Sequence, residues 1–180
     1  MLNRVSLDGF FAGPNGEIDW AIPDPEVDKA AHEGTDVDTG LFGRLTYQMF
    51  ESHWPKIAAD PSAPVAARRT AEELNNMNKV VFSSTLEKVG WENSVLLRGD
   101  PVEETKKLKK EKGSGIIIFG SGTIIQQLTS ARLIDDYIFI VTPVILGAGK
   151  RLFDDVKRLN LRLSEARSFK SGNILIHYKI

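Results

Sequence analysis

The sequence predicts an α/β protein in which helices cover both faces of a central mixed, mostly parallel sheet that ends in a C-terminal antiparallel hairpin. Three observations predict this class. Short β-branched runs alternate with amphipathic helical stretches along the chain. The runs VVF and IIIF are continuously apolar, which is typical of central strands covered on both sides. Near the C-terminus apolar and polar residues alternate, as in antiparallel strands with one solvated face.

Composition and charge narrow the class of protein further. The chain has 180 residues, of which 42% are hydrophobic, and a formal net charge of -1. This balance predicts one soluble domain over residues 1–180 and provides no basic surface for a nucleic-acid partner. No apolar run reaches the roughly 18 residues that a membrane span requires, and the first residues lack the pattern of a signal peptide. We therefore expect a cytoplasmic protein without a membrane partner.

The residue types of the chain also exclude several chemistries. There is no cysteine, so disulfides and thiolate nucleophiles are excluded. The three histidines, His32, His53 and His177, lack metal-ligand spacing, and no metal site is predicted.

The first half of the chain alternates strands with helices. Asp24 and Pro25 have the residue types of an N-cap and a first helical residue, so a helix is expected to begin there. SHWPKIAADPSAP is interpreted as a surface connection. The predicted elements in this half are strand NRVSL, helix PEVDKAAHE, strand TGLFG, helix LTYQMF, helix APVAARRTAEELNNM and strand KVVFSS.

The second half repeats the same alternation. Asp100 and Pro101 again predict a helix start, and Gly113 predicts its end. Alternating apolar residues on either side of SGN predict the hairpin, from Leu159 and from Ile174 onward. The other predicted elements are strands SVLL, GIIIFG and DDYIFIVTPVIL and helix TIIQQLTSA.

Two of the predicted strands end in residues that can bind an anion. Gly43 lets a ligand approach the backbone, the free N–H groups of the next helix attract anions, and Arg44 adds a positive charge. The alternative is a tight turn followed by a solvated arginine. After the VVF strand, the hydroxyls of Ser83, Ser84 and Thr85 can bind phosphate oxygens or cap a turn.

The third turn follows the IIIF strand and is the richest in small residues. Its sequence lets a pyrophosphate lie against backbone N–H groups and a helix N-terminus. It is neither a Rossmann fingerprint, because Ile125 replaces the third glycine, nor a Walker loop, because no Gly-Lys-Ser/Thr follows. Since the carboxyl ends of parallel strands share one edge of a sheet, the three turns together predict a nucleotide site. The small residues of the third turn are Gly120, Ser121, Gly122 and Thr123.

The ordered blocks resemble a known superfamily. SLDGFFAGPNGEIDW, LFGRLTY, VVFSST, IIIFGSGTIIQQL, LIDDYIFIVTPVILGAGKRLF and SGNILIHY are similar, in this order, to the dihydrofolate reductase-like superfamily. The branch they resemble is the C-terminal reductase domain of the bifunctional riboflavin-biosynthesis deaminase-reductase. The resemblance implies a three-layer αβα fold, NADPH bound in extended form, and a homodimer.

The resemblance also implies roles for individual residues. Gly43, Arg44 and Thr46 would lie on the cofactor phosphates, with Arg44 and Ser84 near the adenosine 2′-phosphate. The loop through Trp20 would cover the nicotinamide. The other implied cofactor contacts are Ala12, Gly13, Ser83, Gly120, Ser121, Gly122 and Thr123.

The expected activity is an NADPH-dependent reduction of a small heterocyclic substrate, resembling 5-amino-6-(5-phosphoribosylamino)uracil reductase. Two positions depart from the related patterns. Pro25 stands where dihydrofolate reductases carry the pterin-binding carboxylate, and Phe119 stands where riboflavin-pathway reductases carry a glutamate. The alternatives are a dihydrofolate or pterin reductase and a non-catalytic nucleotide-binding or dimerisation module.

Three residues are candidates for the chemistry itself. Asp8 could anchor a substrate nitrogen or relay a proton if burial raises its pKa; alternatively it forms an Asp-Gly turn. Trp20 could form an aromatic wall over the substrate or pack against the protein. Asp24, or Glu26 on the other side of Pro25, could replace the missing carboxylate; alternatively Asp24 only caps its helix. Lys150 is expected to be solvated.

Overall fold

The computed structural model describes all 180 residues and confirms the α/β class. The chain forms five helices and ten strands. The helices are α1 Pro25–His32, α2 Arg44–Ala59, α3 Val65–Asn76, α4 Pro101–Leu108 and α5 Gly122–Ser130. The strands are β1 Leu2–Ser6, β2 Phe10–Ala12, β3 Val37–Gly43, β4 Asn78–Phe82, β5 Ser94–Leu97, β6 Gly115–Ile118, β7 Asp136–Thr142, β8 Lys150–Arg151, β9 Arg162–Ser168 and β10 Ile174–Lys179.

The chain divides into two compact units, each with its own sheet. The central unit is Asp36–Ser121, and the terminal unit combines Met1–Thr35 with Gly122–Ile180. Ladder hydrogen bonds join the strands into two four-stranded sheets and a two-stranded ribbon.

The central unit contains a fully parallel sheet in the order β5-β4-β3-β6. The VVF strand β4 is internal, as predicted, but the IIIF strand β6 is outermost. The buried core of this unit is aromatic, since the ring of Phe42 packs against Tyr47 at 6.3 Å between centroids. Leu74, Val81 and Trp91 complete the core.

The terminal unit contains a mixed sheet in the order β1-β7-β10-β9. β1 pairs with β7 in parallel, and β10 pairs antiparallel with both β7 and β9, which confirms the C-terminal hairpin. Its first strand begins at Arg162 rather than near Leu159. α1 covers one face of this sheet. The buried core between them consists of Val27, Ala30, Ala31, Ile138, Ile140 and Leu175.

The predicted helix starts are confirmed, but two predicted boundaries are wrong. The carboxylates of Asp24 and Asp100 accept backbone N–H groups at the starts of α1 and α4. SHWPKIAADPSAP is not a loop throughout, because α2 continues to Ala59 with Pro55 inside it. α4 ends at Leu108 rather than at Gly113, since only charged residues follow Leu108 and none can anchor another turn on the core.

Candidate functional site

The three predicted turns begin at the ends of neighbouring strands. In the central unit Gly43, Phe82 and Leu97 pair in one row across β3, β4 and β5. Ile118 of β6 pairs with Leu41 of β3, so the chain after β6 leaves the sheet at the same edge. The structure thus brings the turns at Gly43, Ser83 and Gly120–Ser121 to one edge of the central unit. Gly122 begins the second segment of the terminal unit.

One hydroxyl joins the first and third turns. Ser121 Oγ accepts the Gly43 N–H at 2.7 Å and donates to Thr46 Oγ1 at 3.1 Å. Gly120 and Ser121 both have left-handed backbone, with φ of 52° and 58°. A Cβ added to Gly120 would lie 3.1 Å from Thr46 Oγ1 and 3.2 Å from its Cγ2. Both the left-handed backbone and the close approach of Thr46 therefore favour glycine at this position. Glycine adopts this conformation without strain, whereas Ser121, which has a Cβ, stores strain of the kind that concentrates at functional loops.

The N-terminus of α2 carries no side-chain cap. Gly43 occupies the cap position without a side chain to accept the first free N–H groups, and no acidic residue lies in the first turn. Arg44, the first helical residue, is exposed, and its Nη1 contacts only Gln48 Oε1 at 3.3 Å. The helix dipole and an exposed guanidinium therefore place positive charge together, where an anion can bind.

The two serines of the turn after β4, Ser83 and Ser84, have hydroxyls in different environments. Ser83 Oγ accepts the N–H groups of Thr85 at 3.2 Å and Leu86 at 2.9 Å, so this hydroxyl caps the turn. The hydroxyl of Ser84 is exposed and bonds to no protein group. Ser84 is thus the serine of this turn with a hydroxyl available to a ligand.

Phe119, which departs from the related pattern, has a packing role. Its ring lies 5.6 Å from that of Phe42 and 5.5 Å from that of Phe50. A glutamate at this position would bring a carboxylate into an aromatic cluster, where burial of an unpaired charge is costly. This position therefore serves the core of the central unit.

In the terminal unit, Gly122 is covered on one side by an aromatic ring. A Cβ at Gly122 would lie 2.8 Å from Phe11 Cε1 and 2.9 Å from Cζ. The glycine at the start of α5 is therefore needed for Phe11 to pack, and that side is closed to a ligand. Thr123, the next residue of α5, is exposed.

The loop between β2 and α1 is held by its own hydrogen bonds, most of them made by Glu17. The Glu17 carboxylate accepts Asn15 N at 2.9 Å and Asn15 Nδ2 at 2.7 Å. Its backbone oxygen accepts Gly13 N–H at 2.9 Å and Trp20 Nε1 at 3.0 Å. The Asn15 side-chain bond is the main reason that the pKa of Glu17 is lowered. Gly13 follows the buried Ala12, and a Cβ at Gly13 would meet Glu17 Oε2, so a side chain there would displace the carboxylate from Asn15.

Trp20 lies in this loop and is half-buried. Its indole is fixed by the loop backbone, as the bond to Glu17 shows. Sequence reasoning did not single out Glu17, since an isolated acidic residue in a loop carries no local signal.

Asp8 is an acceptor that joins two loops. Its carboxylate accepts Ser6 Oγ at 2.7 Å, Leu146 N at 3.1 Å and Gly147 N at 2.8 Å. These bonds, the one from Ser6 foremost, lower the pKa of Asp8 to about 2. Proton relay would need the opposite shift, so the raised pKa expected from burial is not found. Gly9, with φ of 85°, completes the Asp-Gly turn that was the alternative.

Asp24 is occupied as a helix cap. Its carboxylate accepts Glu26 N at 2.9 Å, Val27 N at 3.3 Å and the hydroxyl of Ser171. The Ser171 bond is the largest cause of its lowered pKa. Lys150, expected to be solvated, is exposed.

The structure contains no group of three or more His, Cys, Asp or Glu side chains arranged to hold a metal ion. None of the five helices combines the length and the apolar character needed to cross a bilayer.

Comparison with known proteins gives a family and a fold. The model of the family described as "RibD C-terminal domain" matches residues 1–175. The uncharacterized protein YyaP of Bacillus subtilis is 34% identical over 175 residues, which cover 97% of this chain and 90% of that protein.

Two solved structures, similar at low sequence identity, support the fold. The deaminase/5-amino-6-(5-phosphoribosylamino)uracil reductase of Thermotoga maritima matches 99% of this chain and 55% of its own, with a TM-score of 0.66 and 16% identity. Dihydrofolate reductase of Enterococcus faecalis, complexed with NADP(H), matches 99% of this chain and 93% of its own, with a TM-score of 0.59 and 14% identity. These matches confirm the dihydrofolate reductase-like fold.

Proposed function

The chain belongs to the RibD C-terminal domain family, and from this membership and the anion-binding edge of the central unit we propose that it is an NADPH-dependent reductase. The observation that carries the proposal is the juxtaposition at that edge of an uncapped α2 N-terminus, the exposed Arg44 and the free Ser84 hydroxyl. These groups fit a phosphate monoester, which combines negative charge with several acceptor oxygens. The bound NADP(H) of the dihydrofolate reductase relative supports a nicotinamide cofactor.

Residues of the central unit have distinct proposed roles. Arg44 and Ser84 bind the adenosine 2′-phosphate, and the first N–H groups of α2 bind phosphate oxygens. Gly120, Ser121 and Thr46 shape the loop. Ser83 acts within its turn, because its hydroxyl is used there.

The terminal-unit contacts remain predictions from the resemblance. They are Ala12, Gly13 and Trp20 at the nicotinamide, Gly122 and Thr123 at the pyrophosphate, and Asp8 and Asp24 at the substrate.

The proposed substrate is a small nitrogen heterocycle. When bound, NADPH supplies the hydride, and the protein supplies orientation and exclusion of water. Asp8 and Asp24 are ionised acceptors at neutral pH, because hydrogen bonds lower their pKa values. Neither is then a proton donor, and Asp8 is proposed to orient the substrate. The first substrate to test is 5-amino-6-(5-phosphoribosylamino)uracil, which the name of the Thermotoga relative specifies.

Calorimetric titration with NADPH and NADH tests the cofactor. We expect the wild type to prefer NADPH, and Arg44→Ala to weaken NADPH binding about tenfold because a charge-assisted bond to phosphate is lost. NADH binding should change little, since it has no 2′-phosphate. Arg69→Ala, which removes an exposed α3 arginine paired with Glu73, is the matched control. Absence of NADPH binding by the wild type at millimolar cofactor would refute the proposal.

We further propose that the predicted homodimer forms through one face of the C-terminal hairpin. Three cross-strand rows on this face contain no charged side chain: Val141, Ile174 and Ser168; Phe139, Ile176 and Ala166; Tyr137, Tyr178 and Leu163. The β7 end of this face is covered, since Tyr137 is 1% exposed and Phe153 lies against Tyr137 and Phe139. The β10 and β9 end is open: Ile174 and Leu163 are 40% and 53% exposed, and β9 is the outermost strand. An exposed apolar face on an outermost strand is suited to pairing with a second copy.

Light scattering after size exclusion tests the dimer. We expect a dimer mass for the wild type and a monomer mass for Leu163→Glu, because a buried unpaired carboxylate opposes association. Arg162→Glu, at the neighbouring position that points to the opposite face, should remain dimeric. A monomeric wild type, or a dimeric Leu163→Glu, would contradict this interface. The single domain and the cytoplasmic location also remain predictions.

A further inference from the structure

Two arginines flank the serine turn at the edge of the central unit. Because Gly43, Phe82 and Leu97 form one row across three parallel strands, the residues that follow them leave the sheet side by side. These residues are Arg44, Ser83 and Arg98. Arg44 is part of the proposed phosphate site, whereas Arg98 has no role in the function described so far.

Arg98 is bonded to the turn rather than to an acidic partner. Its Nη1 donates to Ser84 O at 3.1 Å, and its Nη2 donates to Leu86 O at 2.8 Å and to Glu87 O at 3.4 Å. Within the turn, Ser83 Oγ accepts two N–H groups. Five hydrogen bonds therefore fix the surface segment 83–87.

The convergence of three carbonyl groups on one guanidinium has an electrostatic consequence. Carbonyl oxygens carry partial negative charge, and without a cation three of them at this edge would repel an incoming phosphate. Arg98 reaches these acceptors from two separate nitrogens, Nη1 and Nη2, in a planar fork, and the single nitrogen of a lysine ammonium at the same position does not reproduce that spacing. The Ser84 hydroxyl is left unbonded on a turn whose backbone is fixed.

We propose that Arg98 is a positioning residue that sets the preference for NADPH over NADH. It holds the turn from Ser83 to Glu87 so that the Ser84 hydroxyl binds the 2′-phosphate beside Arg44. This inference rests on the proposed NADPH-dependent function and names the residue that controls its specificity.

Titration of the full chain with adenosine 2′,5′-bisphosphate and with 5′-AMP tests the inference. We expect Arg98→Ala to weaken the bisphosphate about tenfold and to leave 5′-AMP nearly unchanged. Arg98→Lys keeps the positive charge but has one nitrogen in place of Nη1 and Nη2, so it should lose the bonds to one side of the turn and resemble Arg98→Ala. Wild-type affinity for the bisphosphate in either variant would overturn the inference. Arg69→Ala is the control for loss of one exposed positive charge in the same unit.

A double-mutant cycle distinguishes positioning from a general loss of structure. If Arg98 acts through Ser84, Ser84→Ala should weaken bisphosphate binding in the wild type and add little in Arg98→Ala. Fully additive effects would contradict the inference. If Arg98→Ala does not fold, the same cycle with Arg98→Lys tests whether Arg98 acts through Ser84.

The outcomes separate the two proposals. A wild type that binds neither NADPH nor the bisphosphate refutes the proposed function and, with it, this role of Arg98. A wild type that prefers NADPH, with Arg98 variants that do the same, overturns the role of Arg98 alone.

Discussion

Replacement of Lys79 by methionine is expected to lower the free energy of unfolding by about 3 kcal/mol, because three carbonyl groups lose their only charged donor. Lys79 is 1% exposed, and its Nζ donates to Asn75 O at 3.0 Å, Met77 O at 2.7 Å and Glu92 O at 2.9 Å. Two of these carbonyls belong to the end of α3, so the ammonium caps a helix. It also lies 4.4 Å from the centroid of the Trp91 ring.

Two opposing effects decide the size of the loss. Methionine fills a similar volume and needs no desolvation of a charge, which reduces the cost. It leaves Met77 O and Glu92 O without this donor, whereas Asn75 O keeps the bond from Asn93 Nδ2 at 3.0 Å. These losses and the loss of the attraction to Trp91 together outweigh that gain. Urea unfolding of both proteins measures the difference. Lys88→Met, at an exposed loop position, should change the free energy of unfolding by no more than about 0.5 kcal/mol.

The same lysine predicts how this difference depends on pH. Burial lowers the pKa of Lys79 from 10.5 to about 8 in the folded protein. Between these values the unfolded chain binds a proton that the folded chain does not, so the contribution of Lys79 to stability rises with pH. The gap between wild type and Lys79→Met should therefore widen as pH rises above 8. A gap that narrows there, or a variant as stable as the wild type at neutral pH, would contradict this description.

Local sequence signals predicted the helix starts and the strands. They failed for helix ends and strand order, which depend on packing between residues that are distant in sequence. Asp24 and Asp100 cap the predicted helices because an Asp-Pro pair specifies a cap without tertiary contacts. Pro55 suggested a loop, yet α2 continues through it, since the rings of Phe50 and Trp54, one turn apart, pack against the aromatic core. The outermost position of β6 could not be predicted, because apolarity reveals burial and not strand order.

The candidate site was predicted as a set of turns but not as a set of contacts. The position of Gly43, Ser83 and Gly120 at one edge follows from parallel strands, which the sequence indicates. The bond from Gly43 to Ser121 joins residues 78 positions apart, and no local pattern encodes it. The same holds for the Phe11 ring on Gly122. Arg98 could have been found, since it follows a strand of the same sheet, but the only local signal beside it, Asp100 with Pro101, indicates a helix cap and not a ligand site.

Gly120→Ala is expected to reduce NADPH binding about thirtyfold, equivalent to roughly 2 kcal/mol, because the loop that shapes the proposed phosphate site cannot keep its conformation. The φ of 52° disfavours any residue with a Cβ, and the added methyl would press on Thr46 at 3.1 Å. Thr46 accepts the Ser121 hydroxyl, which in turn accepts the Gly43 N–H. Displacement of Thr46 therefore disturbs both turns together.

Gly34→Ala is the control that separates backbone strain from the clash. Gly34 also has positive φ, 71°, but a Cβ there would meet no atom within 4 Å. Both variants should lose about 1 kcal/mol of stability from the left-handed backbone, whereas only Gly120→Ala should lose NADPH affinity. Thermal unfolding and calorimetric titration of the two variants measure these effects side by side. Equal NADPH affinity in the two variants would mean that the chain of bonds from Thr46 through Ser121 to Gly43 does not shape the cofactor site, and the proposed role of that loop would be wrong.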